Sequence, residues 1–193
     1  MKINLGPSDV LFPVPAALIV SGIEPKPNVA TVAWIGIVSS TPPTVGISLR
    51  KDRYTLQLIR EFGEFTVNIP PASLVKEVDF CGLANGRKRD KLKTAGLTTM
   101  LGSRIRTPII AECPYNVECK VVQETELGDW VLVLGEIVET GIDQDKIDPA
   151  NRAKIDIAKV DPLVYCAEVR QYWSIGNRIG DGFCAGKELL KAK

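Results

Sequence analysis

Three cations and an acid separate an alternating strand from a helix in TVGISLRKDRYTLQLIREFG, residues 44–63. Arg50, Lys51 and Arg53 crowd a corner that a plain turn would build from Asn-Gly. Ser48 and Arg50 share one strand face. Thr55 is the expected helix N-cap, and the first helical turn leaves backbone N–H groups without partners. Such a helix end favours an anion by roughly 0.3–1 kcal/mol. Arg53 adds a planar donor fork suited to phosphate. A simple cap surrounded by solvated cations would use the same residues.

A second basic stretch is CGLANGRKRDKLK, residues 81–93. Arg87, Lys88, Arg89, Lys91 and Lys93 outnumber Asp90, and Gly82 and Gly86 permit close backbone approach. A solvated helix face is again the alternative. The stretch has neither the G-K-[ST] of a P-loop nor a strand feeding a G-x-G-x-x-G. Net charge over the whole chain is only +1. Two local clusters on that background point to a small phosphorylated ligand, not to nucleic acid or an anionic membrane. Trp34 inside a strand, and Tyr172 and Trp173 at the end of the last one, offer ring faces to a flat ligand or to rim packing.

The chain has no histidine, which removes Ser-His-Asp and Cys-His nucleophile schemes and the common His-based metal sites. Its five cysteines, Cys81, Cys113, Cys119, Cys166 and Cys184, contain no C-x-x-C pair and are odd in number. They read as reduced, mostly buried thiols, which fits a cytoplasmic setting. The longest apolar stretch, near PAALIVSGI, is too short to span a bilayer. Asp9, Pro13 and Pro15 interrupt any secretory h-region.

These residues need a scaffold. VPAALIVSGI predicts a first strand, and VATVAWIGIV a second with apolar residues on both faces, hence central. TVGISLR predicts a third, with Val45, Ile47 and Leu49 inward. TLQLIREFG predicts a short helix stopped by Gly63, and EFTVNIP another strand. ASLVKEVDFCG and RKRDKLKTAG read as helical pieces joined by LANG. PYNVECKVVQETE and DWVLVLGEIVETGI form a hairpin. PLVYCAEVRQYWSI holds a last strand, followed by a Gly-rich run and a short C-terminal helix. Six or seven strands with short helices between them favour one antiparallel barrel over a doubly wound sheet.

In this order the motifs resemble the flavin reductase-like family of FMN-binding split β-barrels, most of all its flavoredoxin type. Asn28, Thr31, Ser39, Pro42, Pro43, Ser48, Arg53, Thr55, Gly63, Phe65, Val67 and Asn68 fall on the pattern of the first half. FCGLANGRKRDKLKTAGL is similar to the family's G-x-x-SGR-x-x-DK segment. Pro108 to Cys119 and Gly128 to Ile137 match the later pieces. The resemblance implies a mainly β, six-stranded antiparallel Greek-key split barrel with short inserted helices, one domain over residues 1–193, and a homodimer with FMN near the interface. It also implies that Thr31, Ala33 and Trp34 line the isoalloxazine, and that Ser39, Ser40 and Thr41 meet the ring and ribityl chain. Ser48, Arg50, Arg53 and Thr55 would hold the phosphate region with Arg87 and Lys91. Asn28, Leu49, Cys81, Gly82, Ala84, Asn85, Gly86 and Trp173 complete the expected flavin contacts. Asn85 stands where the family commonly has Ser, and Leu92 where Phe is frequent.

Two functions follow from the resemblance. One is an FMN-dependent reductase fed by NAD(P)H. The other is a flavoredoxin-type electron carrier between small redox proteins. The cations beside Cys81 are expected to lower its thiol pKa, so a redox role stands beside plain packing.

Overall fold

The structure is a computed structural model that describes residues 1–150 and 154–190. In chain order its strands and helices are β1 (Val14–Pro15), β2 (Ala17–Ser21), β3 (Asn28–Val32), β4 (Ile35–Ser40), β5 (Pro43–Arg50), α1 (Tyr54–Phe62), β6 (Glu64–Ile69), α2 (Val75–Leu83), α3 (Lys91–Ala95), β7 (Thr99–Met100), β8 (Ile109–Ile110), β9 (Tyr115–Leu127), β10 (Trp130–Ile142), α4 (Ile157–Val160), β11 (Leu163–Cys166) and β12 (Gln171–Ser174). The main sheet runs β3-β2-β6-β9-β10-β5-β4, every pairing antiparallel. Its two end strands are consecutive in the chain, joined only by Ala33 and Trp34, so the sheet must roll until its ends meet. The ladder does not close there. Ser48 N–H donates to the Trp34 carbonyl at 2.9 Å, which extends the β4–β5 ladder by one residue toward the opening. The class is the mainly β split barrel that the sequence leads one to expect.

The stretch VATVAWIGIV is not one central strand. It breaks at Ala33 and Trp34 into β3 and β4, which occupy opposite ends of the sheet. Apolar residues on both faces of β3 reflect helices on its outer side rather than a central place. Val32 faces the barrel interior with Ile19, Ile47, Phe65, Val131 and Val133, while Val29 joins a second core with Val78, Cys81, Leu92 and Ile110 beneath α2 and α3. Strand β2, buried at all five positions, divides the two cores. The expected last strand is a hairpin, β11–β12, in a small sheet with β1. No helix among the described residues is long and apolar enough to cross a membrane.

The barrel also carries two buried carboxylates that fasten the loop 102–107. Glu118 accepts the Ser103, Arg104 and Ile105 backbone N–H groups at 2.7, 2.8 and 3.0 Å, and the Ser103 hydroxyl at 3.1 Å. Glu64 accepts the Arg106 and Thr107 N–H groups, each at 2.9 Å. Burial raises the Glu118 pKa, but the hydrogen bonds to its charged form prevail and hold it below its usual 4.5. A carboxyl group depressed on folding contributes stability above its unfolded pKa and loses it as pH falls through the folded one. Glu118→Gln keeps the shape but turns an amide NH₂ toward backbone donors. It should cost about 1.5–3 kcal/mol in urea unfolding at pH 7. The difference from wild type should shrink as pH falls below about 4; a constant difference would contradict the anchoring role.

Candidate functional site

Strand β5 ends at Arg50, and α1 begins at Tyr54 with Arg53 as its N-cap. Thr55 is therefore not the cap. It lies one residue inside the helix, 2% exposed, and its hydroxyl accepts the Asn28 side-chain amide at 2.9 Å. This bond ties α1 to β3 through the hydroxyl oxygen. The corner's cations also divide. Lys51 turns outward to Glu126 at 2.6 Å, and Arg50 pairs with Asp52 at 3.3 Å, both in the open. Among the described residues the Arg53 side chain has no hydrogen bond or ion pair, and it lines the cleft next to the start of α1.

The opposite wall is the turn after α2. RKRDKLKTAG is helical only from Lys91, because Asp90 caps α3 by accepting the Lys93 N–H at 3.0 Å. Before it, Asn85 Oδ1 accepts the Arg87 N–H at 2.9 Å and holds the 85–88 turn. The oxygen of the amide that replaces the family's Ser is thus used by the turn itself. Gly86 presses on Asn28 so closely that a Cβ there would lie 2.0 Å from Asn28 Oδ1.

Arg87 reaches from this turn to the first wall. It donates to the Asp52 carbonyl at 2.9 Å and to Gln57 Oε1 at 3.0 Å, and its guanidinium lies 5.3 Å from the Tyr54 ring centre. The two basic stretches therefore meet in one cleft of about 310 Å³, lined by Asn28, Arg50, Arg53, Thr55, Ala84, Asn85, Gly86, Arg87 and Lys91 among others. Lys91 forms its buried floor. The residue is 4% exposed, and its ammonium donates to the Cys81 carbonyl at 2.9 Å. Burial pulls its pKa down to about 8; the Cys81 thiol works against that shift and nearby Arg53 adds to it.

Other expected contacts lie elsewhere. Ser39, Ser40 and Thr41 close the far end of the β4–β5 hairpin, about 23 Å along β5 from Arg50. The Thr31 hydroxyl donates to the Val78 carbonyl, and Gly82 packs on Thr31. Leu49 is a core side chain, 4% exposed. Ala33 and Trp34 form the link between β3 and β4, and Trp34 stacks on Trp130 with ring centres 4.1 Å apart, level with Ser48 and Arg50. Trp173 sits in the small sheet, half-exposed, and does not line the cleft. Cys81 also corrects expectation: burial outweighs Lys91 and pushes its thiol up to about 11, so it is a neutral core thiol at pH 7. The sequence reading missed Tyr54 and Gln57. Their i, i+3 spacing on the first turn of α1, facing the basic segment, was the available signal.

A family profile described as flavin reductase like domain matches residues 10–174. The chain belongs to the flavin reductase-like family. Flavoredoxin of Desulfovibrio vulgaris (Miyazaki F) superposes with a TM-score of 0.90 at 33% identity, covering 96% of this chain and 100% of that one. Flavoredoxin from Methanosarcina acetivorans gives 0.87 at 32% identity, covering 98% of both. A protein of Archaeoglobus fulgidus is 42% identical over 130 residues, 67% of this chain and 73% of the relative. A flavin reductase with a split barrel domain from Shewanella frigidimarina, at 21% identity and a TM-score of 0.78 over 88% of this chain and 85% of that one, shares the fold. Within the flavin reductase-like fold, the cleft described above lies between the end of β5, the start of α1 and the α2–α3 turn.

Proposed function

We infer that the protein is an FMN-binding oxidoreductase whose cleft between α1 and the 84–91 turn receives the flavin phosphate. Membership in the flavin reductase-like family supports a flavin. The choice of FMN rests on the cleft: riboflavin has no anion to place among Arg50, Arg53, Arg87 and Lys91. The single observation that carries the reading is Arg87 bonded to the Asp52 carbonyl, because it joins two basic segments far apart in sequence into one anion-sized recess. The donor set fits a phosphate monoester: one unpaired guanidinium fork, one buried ammonium and the open N–H groups at the start of a nine-residue helix.

A bound flavin supplies the hydride and electron chemistry itself. The chain's part is to hold and shield. Arg53 grips the phosphate from the solvent side, and Lys91 neutralises it from below. Arg87, bonded to Asp52 and Gln57 and lying over the Tyr54 ring, keeps the two walls at a fixed separation. With no histidine in the chain, protons reach the site through water or backbone groups. A homodimer is part of this reading. The edge strand β4 leaves Ile37 and Val38 69% and 55% exposed, and a second copy would cover them. So is a reducing, cytoplasmic setting, consistent with free thiols at Cys81, Cys113, Cys119, Cys166 and Cys184.

Pyridine nucleotide is the proposed electron source. The flavoredoxin likeness over nearly the whole chain favours a second reading, an electron carrier that exchanges with redox proteins. Stopped-flow mixing of the FMN-loaded protein with NADH or NADPH separates the two. Rapid bleaching of the flavin supports the reductase. No bleaching by either nucleotide, with reduction by a protein donor, supports the carrier. A protein that takes up no FMN on reconstitution would remove both.

A further inference from the structure

Lys26, Lys88, Arg89 and Lys93 are exposed, and among the described residues none of the four forms an ion pair. All four border one open recess beside the phosphate cleft, which shares Arg87 and Lys91 with it. The acids on this recess are Glu24 and Asp90. Both are engaged locally. Glu24 accepts the Thr99 hydroxyl at 2.8 Å, and Asp90 accepts the Lys93 backbone N–H at 3.0 Å. A chain of net charge +1 thus gathers unpaired cations on one concave face, and a concave wall focuses their field outward.

The four cations come from the β2–β3 loop, the turn before α3 and α3 itself. They stand in solvent, not stripped of water around one point. Charges so placed act at a distance and reward a partner whose carboxylates are spread over the same width. The rim is also partly apolar. Where the chain leaves the recess after Thr99, Met100 and Leu101 are 50% and 76% exposed. A basic ring beside a small apolar patch is the make-up of a transient protein contact, in which charge steers the approach and a small area lets the complex part again.

We propose that this basic rim docks an acidic one-electron carrier protein beside the flavin site. The proposal rests on the carrier reading for the partner's task; the charge pattern stands without it. One electron leaves the reduced partner, which is oxidised, and enters the flavin, which is reduced. A second encounter brings the second electron, and water supplies the protons. No bond forms between the two proteins.

The probe is a plant-type [2Fe–2S] ferredoxin, an acidic iron–sulfur protein of low potential. Stopped-flow mixing of reduced ferredoxin with the FMN-loaded protein reads the transfer at about 0.01 M and about 0.15 M ionic strength, where charges are felt over about 30 Å and about 8 Å. The wild-type rate constant should fall roughly tenfold or more from the first to the second. At low salt Lys88→Glu and Lys26→Glu should each slow transfer roughly tenfold. Lys120→Glu makes the same charge change on β9, outside the recess, and should stay near wild type. Dithionite should bleach the flavin of wild type and all three variants alike. Calorimetry with oxidised ferredoxin at low salt reads docking alone and needs neither flavin nor electron transfer. Docking that Lys88→Glu weakens, without reduction of the flavin, would support the surface and remove the carrier reading. No docking to wild type, or an effect of Lys120→Glu equal to that of Lys88→Glu, would overturn the surface.

Discussion

Arg53→Ala should weaken FMN roughly ten- to a hundredfold and leave riboflavin nearly untouched. A hydrogen bond to a charged group is worth about 1.5–3 kcal/mol, which is that range in affinity. Arg53 is the cation of the β5–α1 corner with no protein partner among the described residues, so its removal exposes no buried acid and should not unfold the protein. Arg53→Lys should recover only part of the loss, since a point charge does not reproduce the fork. Lys91→Ala should cost a similar factor, and the two losses should not add, because the groups share one anion.

Lys91 also fixes the sign of the pH dependence. Its ammonium, held near pKa 8 in the ligand-free fold, is the form that meets phosphate. FMN affinity should fall as pH rises through about 8, while riboflavin affinity stays level. Without ligand the same shift acts on stability in the opposite sense. The folded state has released this proton by pH 8 and the unfolded state has not, so the flavin-free protein should gain stability between pH 8 and 10.5. Fluorescence titrations of both flavins across that range, and thermal unfolding without flavin, read the two effects. Parallel pH profiles for FMN and riboflavin would remove Lys91 from the phosphate.

Gly86→Ala should do more damage than any change at a surface cation. An added Cβ would meet Asn28 Oδ1 at 2.0 Å, Asn28 Cγ at 2.9 Å and Tyr54 Cδ1 at 3.2 Å. Asn28 cannot swing aside, since it is 6% exposed and bonded to Thr55. The 84–88 turn must lift instead, which carries Arg87 off Asp52 and opens the cleft. Overpacking of this kind costs about 1–3 kcal/mol of stability, and FMN affinity should drop by about tenfold or more with the loss of the aligned wall. Gly141→Ala is the control, because a Cβ there meets open space. Equal behaviour of the two variants in unfolding and in FMN titration would mean that the Gly86 contact does not position the site.

Much of this architecture could be read from local pattern. Alternation placed Val45, Ile47 and Leu49 inward, Gly63 stopped α1 in the left-handed conformation at φ 70°, and the β9–β10 hairpin fell where two apolar runs flank a short turn. The two basic stretches were visible as charge on a neutral background. What sequence could not provide was how partners are shared over distance. Residues 29–38 read as one central strand because β3 is covered on its outer face by helices that come later in the chain. Thr55 reads as a cap because its type suits one, yet Asn28, 27 residues earlier, claims its hydroxyl. Cys81 reads as activated by neighbouring charge, but the depth of its burial decides its pKa. Each miss is a tertiary partner overriding a residue's local preference.

The central claim is that the cleft between the start of α1 and the 84–91 turn holds the phosphate of FMN. A crystal structure of the FMN-loaded protein tests it most directly. The account predicts the phosphate in that cleft, within hydrogen-bonding distance of the Arg53 guanidinium, the Lys91 ammonium and the first backbone N–H groups of α1, with Arg87 still on the Asp52 carbonyl. FMN bound with its phosphate outside this cleft, and Arg53 and Lys91 left without contact to it, would contradict the account.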